Sequence, residues 1–104
     1  RLIVKAVSVP VELSDAAIVL HGTDTLCLTG ETLHRELPRL TKPVILTGAM
    51  RPYEMTRSDA LQNLTEALLA SSLLPAGVYA VAHGRALKFP GVVKDRELGS
   101  FRRA

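Results

Sequence analysis

Cysteine is nearly absent from this chain of 104 residues, with Cys27 standing alone. One thiol can neither close an internal disulfide nor furnish a cysteine-rich zinc site, so nothing demands an oxidising compartment and a cytoplasmic location is expected. Tryptophan is absent and aromatic residues make up only 4%. That removes the stacking surface on which single-stranded nucleic acid is held, so nucleic acid is not the expected partner despite a net charge of +3. No apolar run approaches the roughly 18 residues of a membrane span, and no membrane partner is expected. No internal repeat, low-complexity linker or secretory-type leader is legible in these residues. The first residue is Arg, and the natural start is expected to lie outside this sequence.

What is present, 47% hydrophobic and 22% charged residues, is the balance of a folded chain and not of a disordered one. A second core would need roughly 50 to 100 further residues, so residues 1–104 are read as one domain. A domain this small buries about two-thirds of its unfolded surface, which leaves little for a deep site built alone. Partners or further segments are therefore expected.

Apolar stretches at residues 2–4, 16–20, 43–46, 77–82 and, more weakly, 91–93 run without alternation, as strands covered on both faces do. Between them lie helical patterns. After Thr25, Leu26, Leu33, Leu37 and Leu40 recur at mostly helical spacing in a segment expected to end by Pro38; Gly30 in its middle costs about 1 kcal/mol relative to Ala. From Asp59, Ala60, Leu61, Leu64, Ala67 and Leu68 form a second helical stripe, with Asp59 as N-cap and Gln62 as its capping-box partner. The alternation predicts an α/β fold, an open, mostly parallel sheet with helices on both faces in a Rossmann-like three-layer arrangement. Residues 10–15 are too few for a parallel crossover, which needs about 10 to 12 residues. Either residues 2–9 pair as an antiparallel hairpin or chain is missing there.

Ligands of such sheets bind beyond the carboxyl ends of the strands. Three segments fall there: His21-Gly22-Thr23-Asp24-Thr25, Thr47-Gly48-Ala49-Met50-Arg51-Pro52 and His83-Gly84-Arg85. In the first, Gly22 can supply a tight turn, and the helix start after it favours an anion at residues 23–25. Asp24 or Thr25 serving merely as an N-cap is the competing reading.

These first two segments, followed by Ser58-Asp59 and Asn63-Leu64, resemble the amino-terminal domain of the bacterial-type L-asparaginase/glutaminase family. The likeness runs from about residue 16 to residue 101, and residues 77–97 are most similar to short, single-domain members. The resemblance implies hydrolysis of the side-chain amide of asparagine, and in some members glutamine, through a threonine acyl-enzyme with no metal or organic cofactor. It carries the catalytic set onto Thr23, Asp24 and Lys94, and substrate binding onto Gly22, Thr23, Asp24 and Ala49. It also implies a homodimer or larger homo-oligomer. The chemistry is coherent, because a threonine hydroxyl needs a base, and a lysine can serve where burial lowers its pKa and a carboxylate holds it. Charge pattern alone would leave Lys94 a solvated cation in the run Lys94-Asp95-Arg96-Glu97.

The family's glycine-rich loop with its first threonine is absent, as is the Asp-Ser segment that holds the substrate carboxylate. Residues 1–4 look like the family's first strand, so unseen segments are expected after about residue 4 and before residue 16. Two alternatives stay open: an amino-acid-binding domain without turnover, and the ammonia-supplying component of a tRNA amidotransferase. Among other residues, Glu31 and His34 read as a surface pair, since a di-iron site needs two such motifs. His21 is expected to pack with one nitrogen hydrogen-bonded, and His83 to face the site rim with its role undecided. Cys27 reads as a buried small hydrophobe, and Arg51 as a loop brace or salt-bridge scaffold. The basic tail from Phe101 is too short to argue phosphate binding.

Overall fold

Residues 43–47 carry no charge and bury every side chain, and a strand of that kind belongs in the middle of a sheet. In the computed structural model, which describes residues 15–50 and 59–104, β2 (Pro43–Thr47) lies between β1 (Ala17–Leu20) and β3 (Gly77–Ala82) and pairs parallel with both. The pairs Ala17 to Val44 and Val44 to Val78 set the register. Side chains alternate across the sheet with a period of two, and the core divides accordingly. Val44, Leu46, Val78, Ala80 and Ala82 face α1 (Thr23–Glu36), whose Leu26 and Leu33 are fully buried among them. Ile45, Tyr79 and Val81 face the opposite way and meet Ala67 of α2 (Ala60–Ser71). The expected three-layer α/β architecture is therefore present.

α1 ends at Glu36, ahead of Pro38 as the sequence requires, but it begins at Thr23, two residues earlier than the apolar pattern indicates. Its N-cap is Gly22 in an extended conformation (φ −63°, ψ 136°), so no tight turn is made there. The N-cap reading of Asp24 and Thr25 is thereby excluded, since both lie in the helix. Gly30 has a packing reason. A Cβ at that position would overlap the ring of Phe89, which is itself buried at the centre of the α1 cluster.

α2 corrects the sequence reading in two ways. Leu61 and Leu68 are 68% and 57% exposed, while the buried residues of the helix are Ala67, packed with Ile45 and Tyr79, and Asn63, hydrogen-bonded to Gly48, Asp59 and His83. Asp59 occupies the N-cap position without a capping hydrogen bond from its side chain, and Gln62 Nε2 donates to Glu66 Oε2 at 2.9 Å instead of closing a capping box. The Asp59 carboxylate turns away toward Met50, Asn63 and His83.

Three strands follow β3. β4 (Arg85–Lys88) folds back antiparallel on β3 through a two-residue turn, His83 and Gly84, both at positive φ (53° and 75°). Such a turn matches the natural twist of a hairpin. β5 (Val92–Asp95) and β6 (Ser100–Arg103) form a separate antiparallel pair, anchored by burial of Val92 and Phe101 in the α1 cluster. The stretch expected at residues 91–93 corresponds to β5, whereas the composition gave no sign of β4 or β6. The expected strand at residues 2–4, the crossover at residues 10–14, and Arg51, Pro52 and Ser58 lie outside the described residues.

Candidate active site

Thr23 opens α1 directly after the end of β1, so its hydroxyl sits at the carboxyl end of the sheet beside the unpaired N–H groups of the first helical turn. Glycine at position 48 permits the next contact. A Cβ there would collide with the His21 carbonyl oxygen and press on the Thr23 methyl at 3.3 Å, so only glycine lets the end of β2 lie against this turn. His21 N–H donates to the Thr47 carbonyl at 2.9 Å and closes the junction.

Lys94, on β5, reaches across to α1. Its Nζ donates to Thr23 Oγ1 at 2.8 Å and to Asp24 Oδ1 at 2.8 Å. The Thr23 residue and the Lys94 side chain are 9% and 17% exposed, whereas the Asp24 side chain is 69% exposed. Three residues that the sequence places up to 71 positions apart thus meet in one hydrogen-bonded group. The competing reading of Lys94 as a solvated cation is not what the structure shows.

Arg96 joins the group, with Nη2 donating to the same Asp24 oxygen at 2.9 Å. The Asp24 carboxyl is held below the usual carboxylate range, first by the hydrogen bond and charge of Lys94 and then by Arg96. Sequence reasoning left Arg96 in a solvated run. Arg96 opens the turn that follows β5, so no strand periodicity ties it to Lys94 and only the fold brings it to Asp24. Asp95, between them, faces the other way: its carboxylate accepts from Arg102 Nε and the Leu98 N–H, each at 2.9 Å, and is itself held low by them.

The remaining assignments fall out as follows. Gly22 is the exposed N-cap, and Ala49 sits half-buried at the end of β2, between Gly48, whose carbonyl accepts from Asn63, and Met50, whose N–H donates to Asp59. His21 uses both ring nitrogens internally. Nδ1 lies 2.8 Å from the Gly22 carbonyl, which can only accept, so Nδ1 carries the proton and Nε2 accepts from the Thr29 hydroxyl at 2.8 Å. Glu31 accepts the Gly91 N–H at 2.7 Å rather than pairing with His34. Cys27 is half-buried against the core, and burial pushes its thiol up, with Glu31 adding to the shift. Among the described residues no group of three or more His, Cys, Asp or Glu side chains is placed to hold a metal ion. No described helix is long and apolar enough to cross a membrane.

A hydroxyl, an amine and a carboxylate in sequence are the parts of an activated nucleophile, and the helix start beside them can stabilise a developing anion. Comparisons with known proteins identify the family. Residues 1–97 match the family model described as Asparaginase, N-terminal. The chain is 45% identical over 75 residues to one component of the glutamyl-tRNA(Gln) amidotransferase of Aeropyrum pernix, covering 67% of this chain and 17% of that protein. It is 43% identical over 61 residues to L-asparaginase 1 of Escherichia coli K12, covering 59% and 18% respectively. The thermostable L-asparaginase of Thermococcus kodakarensis superposes with a TM-score of 0.91 at 31% identity, over 98% of this chain and 32% of that one. The matched stretch is thus under a fifth of the curated relatives and about a third of the solved structure.

Proposed function

This chain belongs to the asparaginase family, as a match to its amino-terminal domain, and on that premise we propose that it is the catalytic domain of an amidohydrolase acting on the side-chain amide of L-asparagine, with L-glutamine as the longer alternative. The observation that supports the reading most is the Lys94 amine bridging Thr23 Oγ1 and Asp24 Oδ1.

In this reading Lys94 first gives up one proton to solvent, and Thr23 Oγ1 then attacks the amide carbonyl carbon while its own proton passes to the Lys94 amine. The C–N bond then breaks, the Lys94 ammonium returns the proton to the leaving nitrogen, and ammonia departs from an acyl ester on Thr23. Water hydrolyses the ester and restores the hydroxyl. Asp24 orients the amine, and Gly22, Thr23, Asp24 and Ala49 contact the substrate. The setting that goes with the reading is cytoplasmic and homo-oligomeric.

Ammonia release from L-asparagine and L-glutamine by the full-length protein, with Thr23→Ala and Lys94→Ala beside it, tests the proposal. Release abolished by both substitutions supports it; release indifferent to both sinks the site assignment. The likeness to a component of a tRNA amidotransferase favours a second reading, in which the ammonia goes to a partner enzyme. That reading requires glutamine to be preferred and its hydrolysis to rise with the partner and its tRNA present. Binding of asparagine without any ammonia would instead identify a domain that has lost turnover.

A further inference from the structure

We propose that His83 is a positioning residue that sets the approach of Lys94 to Thr23, by tying the first turn of α2 to the hairpin that carries the lysine. The inference rests on the functional reading above and adds to it a residue outside the Thr23 group. It starts from the backbone. His83 stands at φ 53° in a two-residue hairpin turn, a conformation uncommon for residues other than glycine and entered by Asn, Asp and His more often than by most.

That side chain makes two short bonds in opposite directions. Nε2 lies 2.5 Å from Asp59 Oδ2, and Nδ1 lies 2.6 Å from Ser100 Oγ. A carboxylate only accepts, so Nε2 carries a proton, and in neutral His83 the Ser100 hydroxyl donates to Nδ1.

Each bond leads to one member of the reactive pair. Along the first, Asp59 also accepts from the Met50 N–H and from Asn63 Nδ2, both at 3.0 Å. Asn63 Nδ2 in turn donates to the Gly48 carbonyl at 2.7 Å, while Asn63 Oδ1 accepts the His83 N–H at 3.1 Å. Gly48 is the residue pressed against the His21 carbonyl and the Thr23 methyl, so this arm ends at the side chain that carries the hydroxyl. Along the second, Ser100 pairs with Asp95 and its neighbour Phe101 pairs with Lys94, so this arm ends at the amine. Burial of Val92 and Phe101, together with the Gly91 N–H on Glu31, holds the hairpin on the domain independently. What remains for His83 is alignment, and misplacement of reacting groups by about 1 Å can cost on the order of 100-fold in rate.

The test uses the full-length protein with L-asparagine and L-glutamine. His83→Asn keeps a residue suited to the turn and removes the bridge; Ser100→Ala cuts only the hairpin arm. Expected for His83→Asn is a kcat lower by about 10- to 100-fold and a KM changed by less than about threefold, measured well below a Tm that itself falls because Asp59 and Ser100 each lose a partner. Ser100→Ala is expected to lower kcat by a smaller factor, and the double variant to be no slower than His83→Asn, since both cut one tie. Wild-type kcat in both single variants, or losses that only follow Tm, would overturn the proposal. Should His83→Asn fail to fold, Ser100→Ala carries the same test. A crystal structure of either folded variant gives a readout independent of turnover: the Lys94 to Thr23 bond should open beyond about 3.5 Å, and an unchanged bond overturns the positioning role. An opened bond in a protein that releases no ammonia would leave positioning intact and remove the amidohydrolase reading instead.

Discussion

Two polar clusters share the carboxyl end of the sheet and are built on opposite terms. Thr23, Asp24, Lys94 and Arg96 form an open, charged group in which one carboxylate oxygen takes both cations, and the Asp24 and Arg96 side chains are 69% and 74% exposed. Asp59, Asn63, His83 and Ser100 form a more enclosed group in which no side chain is more than 26% exposed and Asn63 is 1% exposed, and its bonds cross four separate elements. Exposed ion pairs contribute little net stability and do not by themselves hold a geometry. Buried hydrogen bonds do, because each group left unpaired costs about 1 to 3 kcal/mol. On the proposed reading the difference separates reactivity from rigidity, the first group exchanging protons and the second placing it.

The largest expected effect divides the two clusters by what is lost. Thr23→Ala and Lys94→Ala should each lower the rate of ammonia release by about 1,000-fold with little change in the thermal midpoint. A thermal midpoint that collapses with either change would mean that the open group is structural, and the division would fail.

Asn63→Ala should do the reverse in kind. It strips partners from the Gly48 carbonyl, the His83 N–H and Asp59 at once, and is expected to destabilise by about 3 kcal/mol in urea unfolding. A loss below about 0.5 kcal/mol would show that the enclosed group holds nothing. Gly48→Ala sits between the clusters, since the added methyl meets the His21 carbonyl and Thr23 together. It is expected to cost about 1 to 3 kcal/mol and to slow turnover as well, which joint measurement of urea midpoint and kcat would show.

The open cluster was far more legible in the sequence than the enclosed one. Thr23 and Asp24 stand in a contiguous motif, and β-branched runs with helical spacing between them point to the parallel core. The enclosed cluster is assembled from residues whose local patterns have other meanings. Asp59 four residues before Asn63 at a helix start reads as a cap, and the long-range bond to His83 that overrides it leaves no local trace. β4 was hidden because its turn is His-Gly, where hairpins of this kind are usually announced by Asn-Gly or Asp-Gly, and because charged residues stand at both of its ends. Leu61 and Leu68 misled for a related reason: periodicity gives a stripe, but the face turned to the sheet is the one where Ala67 packs on Ile45 and Tyr79 and Asn63 finds its polar partners.

The smallest expected effect concerns how the open cluster is held, and it turns on Asp24. Its carboxyl titrates below the ordinary value of 3.8 because Lys94 bonds and attracts it, with Arg96 second. A carboxyl whose folded pKa is lowered stabilises the fold above its unfolded pKa, and that contribution disappears as the pH falls through the lowered folded value. The thermal midpoint of the wild type should therefore converge on that of Asp24→Asn as the pH is taken from about 5 to about 2, the range over which carboxylates titrate. Carboxylate titration by NMR resolves the two cations. Lys94→Ala should raise the Asp24 pKa more than Arg96→Ala does, and added salt should shrink the Arg96 contribution first, since that pair is exposed on both sides. If Arg96→Ala proved the larger change, the carboxylate would belong to the surface arginine and not to the amine beside Thr23, and the open cluster would lose the member that orients its base.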